Sequence, residues 1–244
     1  MRVIAFILLL FVLTACSGND SAIPLQKVET KSQAEEFHEE DSDVWSDEEP
    51  EKIGDFLEFM IEDEVVSISI TEIPILHEFI QAQKNPQQAI EGMQLDKHEV
   101  ALQQFYLLQF SCYKNHCSHI ILHPDKNKSA ILIADMARYE TFTISPDESK
   151  IAILFSRLGE QEVPLGDIVV FDLTNWSSIA LINDSKDKDM LGYKFPILSV
   201  EWQSDDSIAI SYPDLIETSK EYWDAWSVAE ENSKTIETFH LQTD

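Results

Sequence analysis

The pattern of apolar and polar positions divides the chain into three regions. A short apolar run at 3–13 is followed by a polar, acidic stretch at 17–51, and apolar residues are frequent from there onward. After residue 104, short runs rich in Ile, Val, Leu and Phe alternate with turn residues, which is typical of antiparallel sheets. We therefore predict a mostly β fold, with a small mixed α/β cap at 52–103 and an antiparallel β domain at 104–244.

The spacing of apolar residues also predicts individual elements. In the cap, 56–61 has helical spacing and 65–70 is a β-branched run typical of a strand. Helices are expected to begin near Pro74 and Pro86, because proline suits the first helical position. A third helical stretch is predicted around 99–102. The predicted strands of the larger domain lie at 104–111, 117–123, 129–134, 140–144, 150–156, 167–172, 178–182, 198–202, 207–212, 225–229 and 236–241.

Two segments of the β domain repeat the order strand, polar turn, strand, at 142–153 and 200–210. The first contains Ser145-Pro146-Asp147, and a later strand ends in Asp172-Leu173; the second keeps Asp205. This order resembles the propeller repeat of TolB-type periplasmic proteins, with Glu148 where that family usually has glycine. Propellers close with about four to eight blades, and the chain holds fewer than three such units. The resemblance therefore favours a partial or open β-propeller, covered by the cap. Association of several chains and a different sheet arrangement are the alternatives.

The N-terminal run carries the features of an export signal. Arg2 precedes the apolar residues, and small residues follow them. The run is shorter than the about 20 apolar residues that a membrane span requires. Leu13-Thr14-Ala15-Cys16 resembles the bacterial lipobox, which implies removal of a signal peptide at 1–15 and a diacylglyceryl group on Cys16. The expected location is the extracytoplasmic face of a bacterial membrane, with the lipid as anchor. An ordinary secretory signal and an uncleaved anchor are the alternatives.

Charge limits the classes of partner. The chain has 45 acidic and 17 basic residues, a net charge of −28. Ten of the carboxylates lie between Glu35 and Glu51 without a Lys or Arg, so 16–51 is predicted to be a disordered tether. Nucleic acid is not expected as a partner, because binding it requires Lys and Arg against the phosphates. Basic proteins and divalent cations remain electrostatically suitable.

The densest group of chemically active side chains lies between residues 112 and 123. If Cys16 carries lipid, Cys112 and Cys117 form an even pair, which predicts a disulfide in an oxidising compartment. A metal site is the alternative, with His116, His119 and His123 as its candidates, since alternate residues of a strand share a face. Free thiols are the third possibility.

Other residues give a weaker signal of function. Tyr212, Tyr222, Trp223 and Trp226 either pack in the core or line a groove for a sugar or peptide. The chain contains no nucleophile elbow, zinc-protease, phosphate-loop or dinucleotide motif, so neither an enzyme nor a cofactor is predicted. The leading hypothesis is a non-catalytic lipoprotein that binds or scaffolds a protein partner. The alternative is a ligand- or cation-binding envelope lipoprotein.

Overall fold

The computed structural model describes residues 54–125, 129–183 and 190–242. The predicted signal peptide, Cys16 and the acidic tether lie outside these ranges. None of the helices within them is both long enough and apolar enough to cross a bilayer. The described strands are β1 (Phe56–Ile61), β2 (Glu64–Ser69), β3 (Gln94–Val100), β4 (Gln103–Tyr113), β5 (His116–Leu122), β6 (Ile131–Ile144), β7 (Lys150–Leu158), β8 (Pro164–Asp172), β9 (Ser177–Ile179), β10 (Leu181–Asn183), β11 (Ser199–Ser204), β12 (Ser207–Pro213) and β13 (Lys234–Leu241). The helices are α1 (Pro74–Gln81), α2 (Pro86–Glu91) and α3 (Lys220–Ser227).

The cap begins with a hairpin rather than with the helix predicted at 56–61. Strand β1 pairs antiparallel with β2 along its whole length, and a two-residue turn at Glu62 and Asp63 joins them. Glu62 has φ 54°, the left-handed conformation that such turns require. The helical spacing misled because six residues that end in a tight turn are too few to distinguish the two periodicities. Helices α1 and α2 begin at Pro74 and Pro86 as predicted, and Asn85 caps α2 by accepting from the Gln88 N–H at 3.1 Å.

Antiparallel pairing builds the rest of the fold, as predicted. One sheet has seven strands in chain order from β3 to β9, and another has four in the order β10-β13-β12-β11; neither is closed. Strand β3 replaces the helical stretch predicted around 99–102. Its residues pair with β4 from Gln94↔Gln109 to Val100↔Gln103, and the tight turn at Ala101 (φ 51°) fixes that register.

At two places, a continuous stretch of chain pairs with one group of strands in its first part and with another group in its second part. In β6, residues up to 137 pair with β5, and residues from 138 pair with β7, with register shifts on both sides. This single strand replaces the two predicted at 129–134 and 140–144. Similarly, β9 pairs with β8, whereas β10 directly after it pairs with β13. Apart from the β1–β2 hairpin, the strands therefore fall into three four-stranded arrays. The first array is β3, β4, β5 and 131–137; the second is 138–144, β7, β8 and β9; the third is β10 to β13.

The apolar core lies in three layers between these parts. Because β3 pairs with β4, the cap on the first array consists of β1, β2, α1 and α2. The first layer joins this cap to the first array through residues such as Leu76 and Ile120. The second joins the first and second arrays, and the third joins the second and third arrays. Strand β7 serves both of the latter layers, because Phe155 faces one and Leu154 the other. Burial on both faces explains why β7 and β8 read as continuous apolar runs.

The internal repeat corresponds to two hairpins, β6–β7 and β11–β12, each with the predicted turn between its strands. The strand predicted at 225–229 is wrong, since α3 covers the first part of that stretch. Ser219 caps this helix by accepting from the Tyr222 N–H at 3.5 Å, and Lys220 pairs with Asp224 one turn later at 2.8 Å. These local polar contacts favour a helix over the strand that the aromatic residues suggested.

Candidate functional site

The predicted disulfide is present. Cys112 and Cys117 are bonded across the β4–β5 hairpin, with their Cα atoms 4.1 Å apart. Cys117 is buried beneath the sheet and Cys112 is exposed at the hairpin end. The turn uses positive φ values at Lys114 (48°) and Asn115 (67°). The pair therefore closes a tight hairpin and holds no thiolate for a metal.

The three histidines have separate environments. His116 lies at the hairpin end, with Nδ1 3.2 Å from the Lys114 carbonyl oxygen. His119 is buried against Phe155, with ring centroids 4.9 Å apart, and its Nε2 lies 2.9 Å from the Ala137 carbonyl oxygen. Burial lowers the pKa of His119. It is therefore a core residue that stays neutral at physiological pH.

His123 lies on the same face of the chain as His119 but contacts a different ring. Its ring centroid is 4.8 Å from that of Trp176, and its Nδ1 accepts from the Asp125 N–H at 2.8 Å. Over the described ranges, no group of three or more His, Cys, Asp or Glu side chains is arranged to hold a metal ion. The predicted alternation of faces thus brings His119 into the core and places the half-buried His123 beside Trp176, and the two do not form a cluster of ligands.

The turn of the first repeat is organised around Asp147. Its carboxylate accepts from the Ser145 hydroxyl at 2.6 Å and from the Ser149 N–H at 3.0 Å. The Ser145 hydrogen bond is the main cause of a pKa for Asp147 well below the usual range. Glu148 adopts φ 57°, the conformation for which glycine is suited. The Asp147 N–H donates to Asp205 of the second repeat turn at 2.9 Å, so both acidic turns stabilise the fold where two arrays meet.

An open groove lies along one edge of β2. It encloses about 440 Å³, with the whole of β2 as one wall. Tyr106 and Leu122 form part of the lining, and the opposite side includes His123, Pro124 and Ser129. Within the parts of the chain that the structure describes, β2 pairs only with β1. Its second edge therefore faces the groove without a strand beside it.

The register of the hairpin shows which backbone groups face this groove. Ile61 and Glu64 flank a two-residue turn, so they form a hydrogen-bonded pair and the pattern alternates from there. The alternation directs the N–H and C=O groups of Val65, Ser67 and Ser69 away from β1. The same alternation predicts that Asp55 and Ile70 form a hydrogen-bonded pair at the far end of the hairpin. The Ile70 N–H does donate to the Asp55 carbonyl oxygen, at 2.9 Å.

Apolar side chains lie on the outer face of the β1–β2 hairpin. Leu57 and Ile68 are buried against the cap core, and alternate residues of each strand face outward. Phe56, Met60 and Val65 are 55%, 71% and 53% exposed on that outer side. Single exposed apolar residues are ordinary, but three on one face of a hairpin that has a free edge are typical of a binding surface. Among the described residues that line the groove, Glu64 and Glu72 are acidic and none is Lys or Arg.

The aromatic group near the C-terminus is divided between core and surface. Tyr212 is buried in the third layer, as one alternative predicted. Tyr222, Trp223 and Trp226 belong to α3, where each is half-buried. The sequence signal was the same for all four rings, because an aromatic residue in a short stretch gives the same pattern whether it packs inward or outward.

Comparison with known proteins adds no assignment: no protein-family model, curated protein or solved structure matches the chain. Function must therefore be inferred from the groove, the half-buried aromatic rings of α3 and the sequence of the leader.

Proposed function

We propose that this protein is a lipid-anchored, extracytoplasmic binding module that captures an extended segment of a partner protein at the free edge of β2. The observation that carries the proposal is the row of outward backbone groups at Val65, Ser67 and Ser69, which faces an open groove of about 440 Å³. An extended peptide that adds to a sheet edge gains main-chain hydrogen bonds from such groups, and neighbouring side chains give specificity.

The anchoring part of the proposal rests on the leader. Cys16 follows Leu13-Thr14-Ala15 at the end of a short apolar run. Two acyl chains supply the two signals that stable membrane attachment needs. The disulfide between Cys112 and Cys117 supports an oxidising compartment, because such bonds persist outside the cytoplasm. The anchor would hold the binding domain at the membrane without any contribution from the domain itself.

The architecture is proposed to be a partial propeller. Three four-stranded antiparallel arrays follow one another along the chain, and consecutive arrays share a core layer. The contact between Asp147 and Asp205 joins corresponding turns of two arrays, as repeated blades would. The cap covers the outer face of the first array and buries the apolar side chains of that face.

The anchor is tested by replacing Cys16 with Ser in a bacterial host fed an alkyne-bearing fatty acid. The natural chain is expected to take up the label and to sediment with membranes, and the Cys16→Ser chain is expected to do neither. Sedimentation of the unlabelled variant with membranes would contradict lipid anchoring. The Cys112→Ser variant is a matched control, because its label uptake is expected to be unchanged.

The groove is tested with the full chain in detergent micelles and a labelled peptide of alternating Lys and Val as probe. Lysine is chosen because the chain is strongly acidic and Glu64 and Glu72 line the groove. Ser67→Pro removes an outward N–H and is expected to weaken binding about tenfold or more, a loss of roughly 1.4 kcal/mol. Ser67→Ala keeps that N–H and is expected to bind like the natural chain. Equal binding by the proline variant would contradict strand addition.

A further inference from the structure

A second exposed feature lies at the opposite end of the stack, between β12 and β13. We name residues 214–233 the aromatic arm. Its base is closed by the Asp214 N–H, which donates to the Ser233 carbonyl at 3.1 Å. The Trp226 indole N–H donates to the same carbonyl at 2.7 Å, so the ring is held in place by the backbone. The arm is therefore an ordered projection and not a loose connection.

The arm exposes apolar surface that no core layer uses. No residue of α3 is buried, and Trp223 and Trp226 stack on each other with ring centroids 5.5 Å apart. Ile216 and Val228, before and after the helix, are 84% and 81% exposed. Tryptophan is costly to leave in water and is enriched in the energetic centres of protein interfaces. The stacked pair is thus placed to contact another molecule.

The surroundings of the rings are acidic. Lys220 is the one basic residue in the arm, and Asp224 pairs with it at 2.8 Å. The carboxylates of the arm are Asp214, Glu217, Glu221, Asp224, Glu230 and Glu231. An anionic membrane surface and nucleic acid would both be repelled by this charge. A cationic group would be attracted by the carboxylates and by the faces of the indole rings together.

We propose that the aromatic arm is a docking surface for an arginine-bearing basic segment of a partner protein. The planar guanidinium group stacks on indole rings and also forms paired hydrogen bonds with carboxylates, and the arm carries both kinds of group. This surface is separate from the β2 groove and depends on neither its occupant nor its backbone edge. The two sites would give the domain two contacts with partners.

The test uses the full chain in micelles and a peptide of alternating Gly and Arg, with binding followed by calorimetry. The double variant Trp223→Ala/Trp226→Ala is expected to bind about tenfold more weakly. Trp223→Phe/Trp226→Phe retains aromatic faces and is expected to lose less than the alanine pair. Glu221→Gln/Glu217→Gln is expected to weaken binding and to reduce its dependence on salt. Leu102→Ala, a fully exposed apolar position elsewhere, is the control and should bind like the natural chain.

Three results would overturn the inference. They are unchanged binding by the alanine pair, equal binding of a peptide of alternating Gly and Glu, and a tryptophan shift with phosphatidylcholine vesicles but not with the arginine peptide. The last would assign the rings to a membrane. A thermal melt of the alanine pair checks folding and is expected to match that of the natural chain. The Ser67→Pro variant alters the groove and leaves the arm intact. Binding of the arginine peptide by this variant therefore distinguishes failure at the arm from failure at the groove.

Discussion

The second array and the aromatic arm are both regular structure, yet they use their apolar residues in opposite ways. Strand β7 is buried on both faces, with Phe155 in one core layer and Leu154 in the next. Helix α3 buries nothing and leaves two indole rings at the surface. The difference indicates that stability is concentrated in the middle of the stack, whereas the ends are available for binding. Substitutions in the two regions should therefore separate stability from recognition.

The largest effect on stability is expected in the middle of the stack. Phe155 is fully buried and contacts both His119 and Tyr139. Phe155→Ala removes that packing and leaves a cavity, so the free energy of unfolding should fall by about 3–5 kcal/mol. Urea unfolding followed by far-ultraviolet circular dichroism measures the change. A loss comparable to that of an exposed position such as Leu102→Ala would contradict the layered core.

A smaller loss is expected at the end of the β4–β5 hairpin. Cys112→Ser/Cys117→Ala removes the disulfide, and closing so short a loop contributes about 2 kcal/mol in the chain-entropy model. The free energy of unfolding is measured by the same urea titration. The loss in the variant should equal the loss that a reductant causes in the natural chain. If the reduced natural chain and the variant differ in stability, the substitutions themselves and not the crosslink have been measured.

Acid should destabilise the fold through two imidazoles of the first array, the buried His119 and the half-buried His98. Burial lowers the pKa of His119 and of His98 in the folded chain. Below about pH 6.5 the unfolded chain binds protons that these rings do not, so stability is lost as pH falls, by at most about 1.4 kcal/mol per pH unit for each group. Urea midpoints between pH 7.5 and pH 5 measure this slope. His119→Gln should reduce the slope, and an unchanged slope would show that other groups cause it.

The smallest effects on stability are expected at the ends, where binding should change most. Trp223→Ala/Trp226→Ala should alter the free energy of unfolding by about 0.5 kcal/mol or less, because the substituted positions lie outside every core layer. Its affinity for the arginine peptide should nevertheless fall. A stability loss as large as that of Phe155→Ala would show that the arm belongs to the core and would remove the contrast.

The sequence predicts the middle of this molecule better than its ends. The repeated strand–turn–strand segments, Asp147 in its turn and the cysteine pair all depend on short-range patterns, and these predictions are confirmed. Strands β1 and β3 were misassigned, because pairing with a neighbouring strand overrides a short helical periodicity. The position of the groove depends on which edge of β2 lacks a partner strand, and tertiary contacts determine which edge that is. The one local sequence signal for the hairpin that forms the groove was the two-residue turn at Glu62 and Asp63.

The most direct test of the central claim measures hydrogen exchange of individual β2 amides in the full chain, with and without the Lys-Val peptide. The amides of Val65, Ser67 and Ser69 should slow on addition of peptide, because each gains a hydrogen bond from the added strand. Those of Val66 and Ile68 should change little, because they already face β1. Alternate protection along β2 would establish strand addition at this edge. Exchange that is unchanged, or slowed equally at all five amides, would contradict it.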